Sequence, residues 1–272
     1  MTTQQDKAAR FAQLHAGPGA FFIPNPWDTG SARILEHMGF AALATTSAGF
    51  AWSRGYPDMG VTREDKMAHL RELCATVSLP VNADLQNGFG DRPEDAAETI
   101  RQAALAGAAG GSIEDATGRA DDPIYDIGLA RERISAAAQA ARSAGLPFLL
   151  TGRAENHLWG RNDLADTIAR LQAYQEAGAD VLYAPGLRTL EEITTVVRSV
   201  DRPVNVLAAG LPFTLAHLEA AGVRRVSVGG ALARAAYGAL EQAGREMLEQ
   251  GTMGYARTAP GGKHFNDIFS GR

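Results

Sequence analysis

Short apolar runs recur along the chain, and a segment with helical spacing follows each one. The runs start at residues 21, 42, 81, 110, 148, 181, 204 and 224. In the intervening segments apolar residues such as Ile193, Val196 and Val200 recur about every 3.6 positions, which places them on one face of a helix. The pattern therefore predicts eight strand–helix units.

The way each run begins also alternates along the chain. Proline precedes the third, fifth and seventh runs (Pro80, Pro147, Pro203), and glycine precedes the even-numbered ones (Gly39, Gly107, Gly178, Gly222). Proline is tolerated at the first residue of a strand, and glycine supplies the left-handed residue that ends a helix. Eight such units without a break in composition predict the α/β class and a single (β/α)₈ TIM barrel over residues 1–250. A doubly wound open sheet is the alternative, although it usually has fewer strands.

The segment 251–272 follows the last predicted helix of the barrel. It contains the apolar side chains of Tyr255, Phe265 and Ile268, which favour burial over a free linker. We expect this tail to pack on the barrel or on a neighbouring subunit.

Composition limits the classes of partner. The formal net charge is −5 and the basic residues show no cluster, which argues against nucleic acid because phosphate binding requires clustered Lys and Arg. No run approaches the roughly 20 apolar residues of a membrane span, and the first residues lack the apolar region of a secretory signal. We therefore expect a cytoplasmic protein without a membrane partner. Cys74 is the single cysteine, which excludes an intrachain disulfide.

Polar side chains follow the predicted strands at their carboxyl ends, where such barrels carry out chemistry. Asp84 and Gln86 follow strand three, Glu114 follows strand four and Arg153 follows strand five. Acids that face one mouth repel one another unless positive charge lies between them. Carboxylate oxygens without a histidine or cysteine partner favour Mg²⁺, or Mn²⁺, over zinc. The alternatives are a solvated loop acid or helix cap at Asp84 and a protein counter-ion at Glu114.

Two further features at this mouth are suited to an anionic substrate. Arg153 carries a guanidinium fork that can bind a carboxylate or phosphonate with two hydrogen bonds; the alternative is a structural counter-ion for Glu114 or Glu155. Residues 46–49 can offer backbone N–H groups as an anion site, or they form a turn of small residues.

Several separated motifs resemble those of the isocitrate lyase/phosphoenolpyruvate mutase superfamily. They are PNPWD (24–28), TTSAG (45–49), GYPD (55–58), VNADLQNGFG (81–90), GGSIED (110–115), GRAEN (152–156) and YAPG (183–186). The resemblance extends over about residues 20–245. It implies a (β/α)₈ barrel whose last helix is exchanged between subunits, in a homodimer or homotetramer.

The resemblance also implies roles for individual residues. Asp84 would bind Mg²⁺ directly, with Gln86, Glu114 and Asp58 acting through metal-bound waters, and Arg153 would hold the acid group of the substrate. The predicted metal-site residues are Asp84, Gln86 and Glu114, the predicted catalytic residues are Arg153, Asp58 and Glu114, and the predicted substrate-binding residues are Trp27, Thr46, Ser47, Ala48, Arg153 and Asn205.

The sequence departs from the superfamily pattern at two places. Gln86 stands where an acid is usual, so the site has one negative charge fewer and should bind the metal more weakly. The loop 116–126 contains no cysteine, lysine or histidine, whereas the lyase branch carries a catalytic cysteine there. This difference argues against isocitrate or methylisocitrate cleavage by the cysteine route.

These observations predict a Mg²⁺-dependent enzyme that acts on a small α-oxo or α-hydroxy carboxylic acid through an enolate-like intermediate. Cleavage of a C–C bond, of lyase or decarboxylase type, is the first expectation. The alternatives are a mutase or hydrolase that acts on a P–C bond, and a barrel that binds an oxo acid without converting it. Asp58, Thr117, Tyr125 and Glu155 are all candidates for the proton donor, and the sequence does not choose among them.

Overall fold

Eight parallel strands form the barrel in the computed structural model, which describes residues 2–271. The strands are β1 (Phe21–Phe22), β2 (Leu43–Ala44), β3 (Val81–Asp84), β4 (Gly110–Glu114), β5 (Leu149–Arg153), β6 (Val181–Tyr183), β7 (Val204–Leu207) and β8 (Arg225–Ser227). Consecutive strands pair from β2 to β8, and β1 pairs with β8. The ring closes between β1 and β2, where Ala44 N donates a hydrogen bond to Pro24 O at 3.0 Å. The predicted (β/α)₈ barrel is therefore confirmed.

Helices connect the strands and cover the outside of the barrel. They are α1 (Gln4–Ala16), α2 (Thr29–His37), α3 (Ser47–Ser53), α4 (Arg63–Thr76), α5 (Pro93–Leu105), α6 (Ile127–Arg142), α7 (Leu164–Ala177), α8 (Leu190–Arg198), α9 (Leu215–Ala220), α10 (Ala231–Gln250) and α11 (Gly262–Ser270). Asp28 and Thr62 cap α2 and α4, each accepting a hydrogen bond from a backbone N–H three residues later. Across residues 2–271, no helix combines the length and the apolar character needed to span a bilayer.

Alternation along the strands separates the hydrophobic core from the barrel interior. On β3, Val81 and Ala83 belong to the core between strands and helices, whereas Asn82 and Asp84 line the central cavity. The helix α1, for which the strand pattern predicts no element, closes the amino-terminal end of the barrel with Phe11 packed against Ile23. The cavity is therefore closed below and open at the carboxyl ends of the strands.

The two last helices differ in how they pack. Within the described chain, Ala233 is the one buried residue of α10, and Leu240 and Leu248 on that helix are 68% and 90% exposed. In contrast α11 contacts α2, with the guanidinium carbon of Arg33 5.7 Å from the centre of the Phe269 ring and Ile268 buried. Exchange of the last helix between subunits and the division at residue 250 stay predictions. The outer limits of that division, residues 1 and 272, lie outside the described residues.

Candidate active site

The central cavity has a volume of about 190 Å³ and opens where the strands end. This volume is below the roughly 300–1,000 Å³ of typical pockets for drug-sized ligands, which suits a small acid. Most of the predicted substrate-binding and catalytic residues line it, namely Thr46, Ser47, Ala48, Asp58, Arg153 and Asn205, together with Asp84 of the predicted metal site.

Arg153 is the centre of a cluster of carboxylates at the mouth of this cavity. Its Nη1 lies 3.1 Å from Asp84 Oδ1 and 3.2 Å from Glu114 Oε2. Its Nε and Nη2 donate to Glu155 Oε1 at 3.0 and 2.6 Å. The guanidinium carbon lies 4.9 Å from the centre of the Tyr183 ring, within the range of a cation–π contact. One arginine thus joins the ends of β3, β4 and β5.

The cluster contains more negative than positive charge, and the pKa values of its acids reflect this. Burial raises the pKa of Glu114 well above its ordinary value, against the opposing effect of Arg153 and with reinforcement from Glu155 and Asp84. Desolvation and the neighbouring Asp84 also raise the pKa of Asp58. Burial acts in the same direction on Asp84, but Arg153 outweighs it with the help of nearby donors, and the Asp84 pKa is lowered. The carboxylates of the cluster therefore favour the binding of a proton or a cation.

A buried lysine lies beneath Asp84, and the sequence analysis missed it. Lys66 Nζ donates to Thr45 Oγ1 at 2.9 Å, and the same oxygen accepts the N–H of Asp84 at 2.9 Å. Burial lowers the pKa of Lys66 to about 8, although Asp84 and Asp58 oppose the shift. Its position four residues before Leu70, on the buried face of α4, is the sequence signal that could have identified it.

The loop after β2 is fixed by its own hydrogen bonds. Thr46 Oγ1 accepts from Gly49 N at 3.2 Å, and Ser47 N donates to Asp84 Oδ2 at 2.9 Å. A side chain at Gly49 would place a Cβ atom 2.6 Å from Thr46 Cγ2 and 3.0 Å from Trp27 Cβ, so only glycine fits without displacement. One of the backbone N–H groups expected to bind an anion therefore binds Asp84 in this structure.

Three predicted site residues do not line the central cavity. Glu114 contacts Arg153 at 3.2 Å but is not among the lining residues. Trp27 lines an apolar groove on the outside of the barrel beside α2, with its ring 6.3 Å from that of Tyr237. Gln86 has a φ of +52°, and its side chain lines a separate cavity next to Met59 and Arg63. Its buried Nε2 has no hydrogen-bond partner among the described residues. The backbone of Gln86 contacts the Arg153 cluster, since its N–H donates to Asp84 Oδ1 at 3.4 Å and its carbonyl accepts from Glu114 N at 3.0 Å. The Gln86 side chain and Trp27 do not reach the cluster, and the roles of both residues stay predictions.

The four candidate proton donors separate by position. Asp58 lines the cavity from its rim, and Glu155 is bound to Arg153. Thr117 and Tyr125 lie within the loop 116–126, which is held as a compact turn by a bridge between residues 116 and 124. The Tyr125 hydroxyl donates to Asp91 Oδ1 at 2.5 Å, outside the cavity. Position therefore favours Asp58.

The acids fit a hard divalent cation in type and charge. No group of three or more His, Cys, Asp or Glu side chains in residues 2–271 is arranged to hold a metal directly, because Arg153 lies between Asp84 and Glu114. All the candidate donors are nevertheless oxygens, and three carboxylates share the one guanidinium of Arg153. Burial, with the neighbouring acids in addition, raises the pKa values of Glu114 and Asp58. Oxygen donors with surplus negative charge are what Mg²⁺ and Mn²⁺ prefer.

The sequence and the fold are similar to those of known proteins. The family model for phosphoenolpyruvate phosphomutase matches residues 11–248. A crystal structure of a protein from Burkholderia cenocepacia J2315, assigned provisionally as a lyase or mutase, is 56% identical, covers 98% of this chain and 96% of its own, and has a TM-score of 0.96. The structure of 2,3-dimethylmalate lyase, a PEP mutase/isocitrate lyase superfamily member, is 26% identical with a TM-score of 0.86 and covers 99% and 95% of the two chains. The 2-methylisocitrate lyase of Bacillus subtilis (strain 168) is 29% identical over 75% of this chain and 67% of its own.

Proposed function

The chain belongs to the phosphoenolpyruvate phosphomutase family, within the PEP mutase/isocitrate lyase superfamily, and from that premise we propose that it is a Mg²⁺-dependent lyase of small α-oxo or α-hydroxy carboxylic acids. The observation that carries this proposal is Arg153, which is held between Asp84 and Glu114 at the mouth of a small cavity. An arginine fork and surplus carboxylates in one small site suit an acid substrate that chelates a cation.

Asp84 would hold the cation directly, with Glu114 and Asp58 contributing through water. Gln86 would do so only with its side chain turned out of the separate cavity that it lines here. Mn²⁺ is the second candidate for the same donor set. When bound, the cation would stabilise negative charge that bond cleavage places on the oxygens of the substrate. Gln86 supplies no charge, so we expect a metal affinity weaker than an acid at that position would give.

The other roles follow from side chains that line the cavity. Arg153 would orient the substrate carboxylate by its positive charge and by the N–H groups that it releases from the carboxylate cluster, and the Tyr183 ring lies 4.9 Å from the guanidinium carbon. The loop of Thr46, Ser47 and Ala48 forms the opposite wall. Asp58 donates the proton to the enolate-like product of C–C cleavage, because its raised pKa makes the protonated form accessible at the rim of the cavity.

A second candidate is a mutase or hydrolase of a P–C bond. The B. cenocepacia protein at 56% identity is assigned to lyase or mutase without a decision between them, and a guanidinium fork binds a phosphonate as readily as a carboxylate. The loop 116–126 does not choose between C–C cleavage and the P–C reaction. It carries no cysteine, which argues only against C–C cleavage by the cysteine route. A cytoplasmic location and a homodimer or homotetramer also belong to the proposal.

A substrate panel tests the proposed function directly. Purified full-length protein is incubated with oxaloacetate, 2-methylisocitrate, 2,3-dimethylmalate and phosphonopyruvate, with Mg²⁺ or with EDTA, and products are measured by mass spectrometry. We expect Mg²⁺-dependent C–C cleavage of at least one acid. Conversion of phosphonopyruvate alone would select the P–C reaction, and binding without conversion of any compound would replace the enzyme by an oxo-acid-binding protein.

A further inference from the structure

A second arginine lies deep inside the barrel, below the Arg153 cluster. Arg225 begins β8 and is 3% exposed. Its Nε donates to Asn205 Oδ1 at 2.8 Å, its Nη2 donates to Thr151 Oγ1 at 3.0 Å, and its Nη1 lies 3.4 Å from His15 Nε2. These contacts fix the guanidinium at the floor of the central cavity, which it helps to line.

None of these partners carries a negative charge. Burial lowers the pKa of His15 to about 3, so the ring is neutral; the Nδ1–H bonds to Phe11 O at 2.8 Å and Nε2 accepts from Arg225. Among the described residues no carboxylate lies within 4 Å of the Arg225 guanidinium. A buried charge normally has a counter-ion, because removing it from water is costly. The Arg225 guanidinium therefore lacks a protein anion.

The guanidinium also has donors to spare. It has five N–H bonds, and three are used by Asn205, Thr151 and His15. Two guanidinium N–H groups at the cavity floor are thus available to a ligand. Asn82 lines the same cavity, but its unpartnered buried atom is Oδ1, which accepts hydrogen bonds and does not bind an anion.

The position of Thr151 sets the distance between this floor and the mouth. Thr151 and Arg153 are two residues apart on β5 and face the same side, so their levels differ by about 7 Å. A short acid that reaches from Arg153 toward Arg225 spans this separation with a few bonds. The acids Asp84 and Glu114 lie at the upper level only, so the cavity is negative at its mouth and positive at its floor.

We propose that Arg225 forms an anion subsite at the floor of the barrel cavity, which binds a second acid group of the substrate. The subsite makes a short diacid, with one acid group at Arg153 and the other directed into the barrel, the preferred ligand over the matching monoacid. This inference rests on the proposed function, because it concerns the same acid substrate. It goes further by assigning a residue at the opposite end of the cavity from the Arg153 cluster.

The test compares two ligands that differ only in the second acid group. Malate and 2-hydroxybutyrate share a 2-hydroxy acid and differ by a carboxylate in place of a methyl group. Their dissociation constants are measured by calorimetry with full-length protein and Mg²⁺. We expect malate to bind about tenfold or more tightly, since a charge-assisted contact with a buried guanidinium is lost with the methyl group.

Variants at the cavity floor then locate the preference. Arg225→Gln should bring the two dissociation constants to within about twofold of each other, while Arg225→Lys should keep part of the preference because the charge remains. Arg224→Gln is the matched control. Arg224 directly precedes Arg225 in the chain and donates to Gly19 O outside the cavity. The Arg224→Gln variant should therefore prefer malate as strongly as the wild type does.

The outcomes separate this inference from the proposed function. Equal dissociation constants of the two acids for the wild type overturn the subsite, whatever the variants do. A free small anion bound at Arg225 beside either acid would give this same result. A preference that persists in Arg225→Gln places the second acid group elsewhere and overturns the assignment too. If neither acid binds but an acid of the substrate panel is converted, the subsite is overturned and the proposed function stands. If no acid of the panel is converted either, the proposed function itself fails.

Discussion

Arg153 Nη1 lies 3.1 Å from Asp84 Oδ1, although 69 residues separate the two along the chain. The contact joins the residue predicted to hold the substrate to the residue predicted to hold the cation. Because Arg153 also contacts Glu114 and Glu155, a change at any member of the cluster alters the charge felt by the others.

Asp84→Asn should abolish metal-dependent turnover while the protein stays folded. The amide keeps the shape but removes the charge that a hard cation needs, and we expect a loss of about 100-fold or more in kcat/KM. Activity as a function of Mg²⁺ concentration measures the effect. Glu94→Gln, which removes an exposed acid from the first turn of α5, should leave the Mg²⁺ titration unchanged. Wild-type turnover in Asp84→Asn would remove Asp84 from the metal site.

Arg153→Met should destabilise the fold as well as substrate binding. Three carboxylates lose their common counter-ion, and breaking a buried ion pair from one side costs about 3–5 kcal/mol. Urea unfolding measures the change, with Arg101→Met at an exposed ion pair as the control. The double variant Arg153→Met/Glu114→Gln should recover part of the loss, because it removes one of the unpaired charges. A loss as small as that of Arg101→Met would show that the cluster does not depend on Arg153.

Gly49→Ala should displace the loop after β2. The added methyl group meets Thr46 Cγ2 and Trp27 Cβ, so we expect about 1–3 kcal/mol of destabilisation and an increased KM for the substrate found in the panel. Gly238→Ala is the comparison, since no atom lies within 4 Å of the new Cβ on α10; there alanine should stabilise by about 0.5–1 kcal/mol. Equal effects of the two substitutions would contradict the packing argument.

Stability should fall as the pH drops through the range in which His15 would be protonated in the unfolded chain. Burial and Arg225 lower the His15 pKa to about 3 from 6.5, so the unfolded state binds more protons, and the stability present above about pH 6.5 is lost as the pH falls toward 3. Between pH 7.5 and 5.5 the wild type should lose about 1 kcal/mol more than His15→Gln, measured by urea unfolding. The exposed His37→Gln variant should keep the wild-type slope. If His15→Gln keeps that slope as well, His15 is not the group responsible.

The sequence by itself determined the barrel and the level at which the site lies. Period-2 and period-3.6 patterns count eight strand–helix units, and the carboxyl end of each strand follows from the chain direction, which locates Asp84, Glu114 and Arg153 at one mouth. Residues that directly end a strand were therefore predictable, because the pleat of the strand fixes which side they face.

Only the tertiary structure decided what lies beside what. Gln86 takes a positive φ just past β3 and turns into a separate cavity, and Trp27 packs outside the barrel, since both follow strand ends where the pleat no longer sets direction. Lys66 comes from a helix, and Arg225 pairs with residues from three other elements. Such contacts join segments that are distant in the sequence, so local sequence patterns do not predict them.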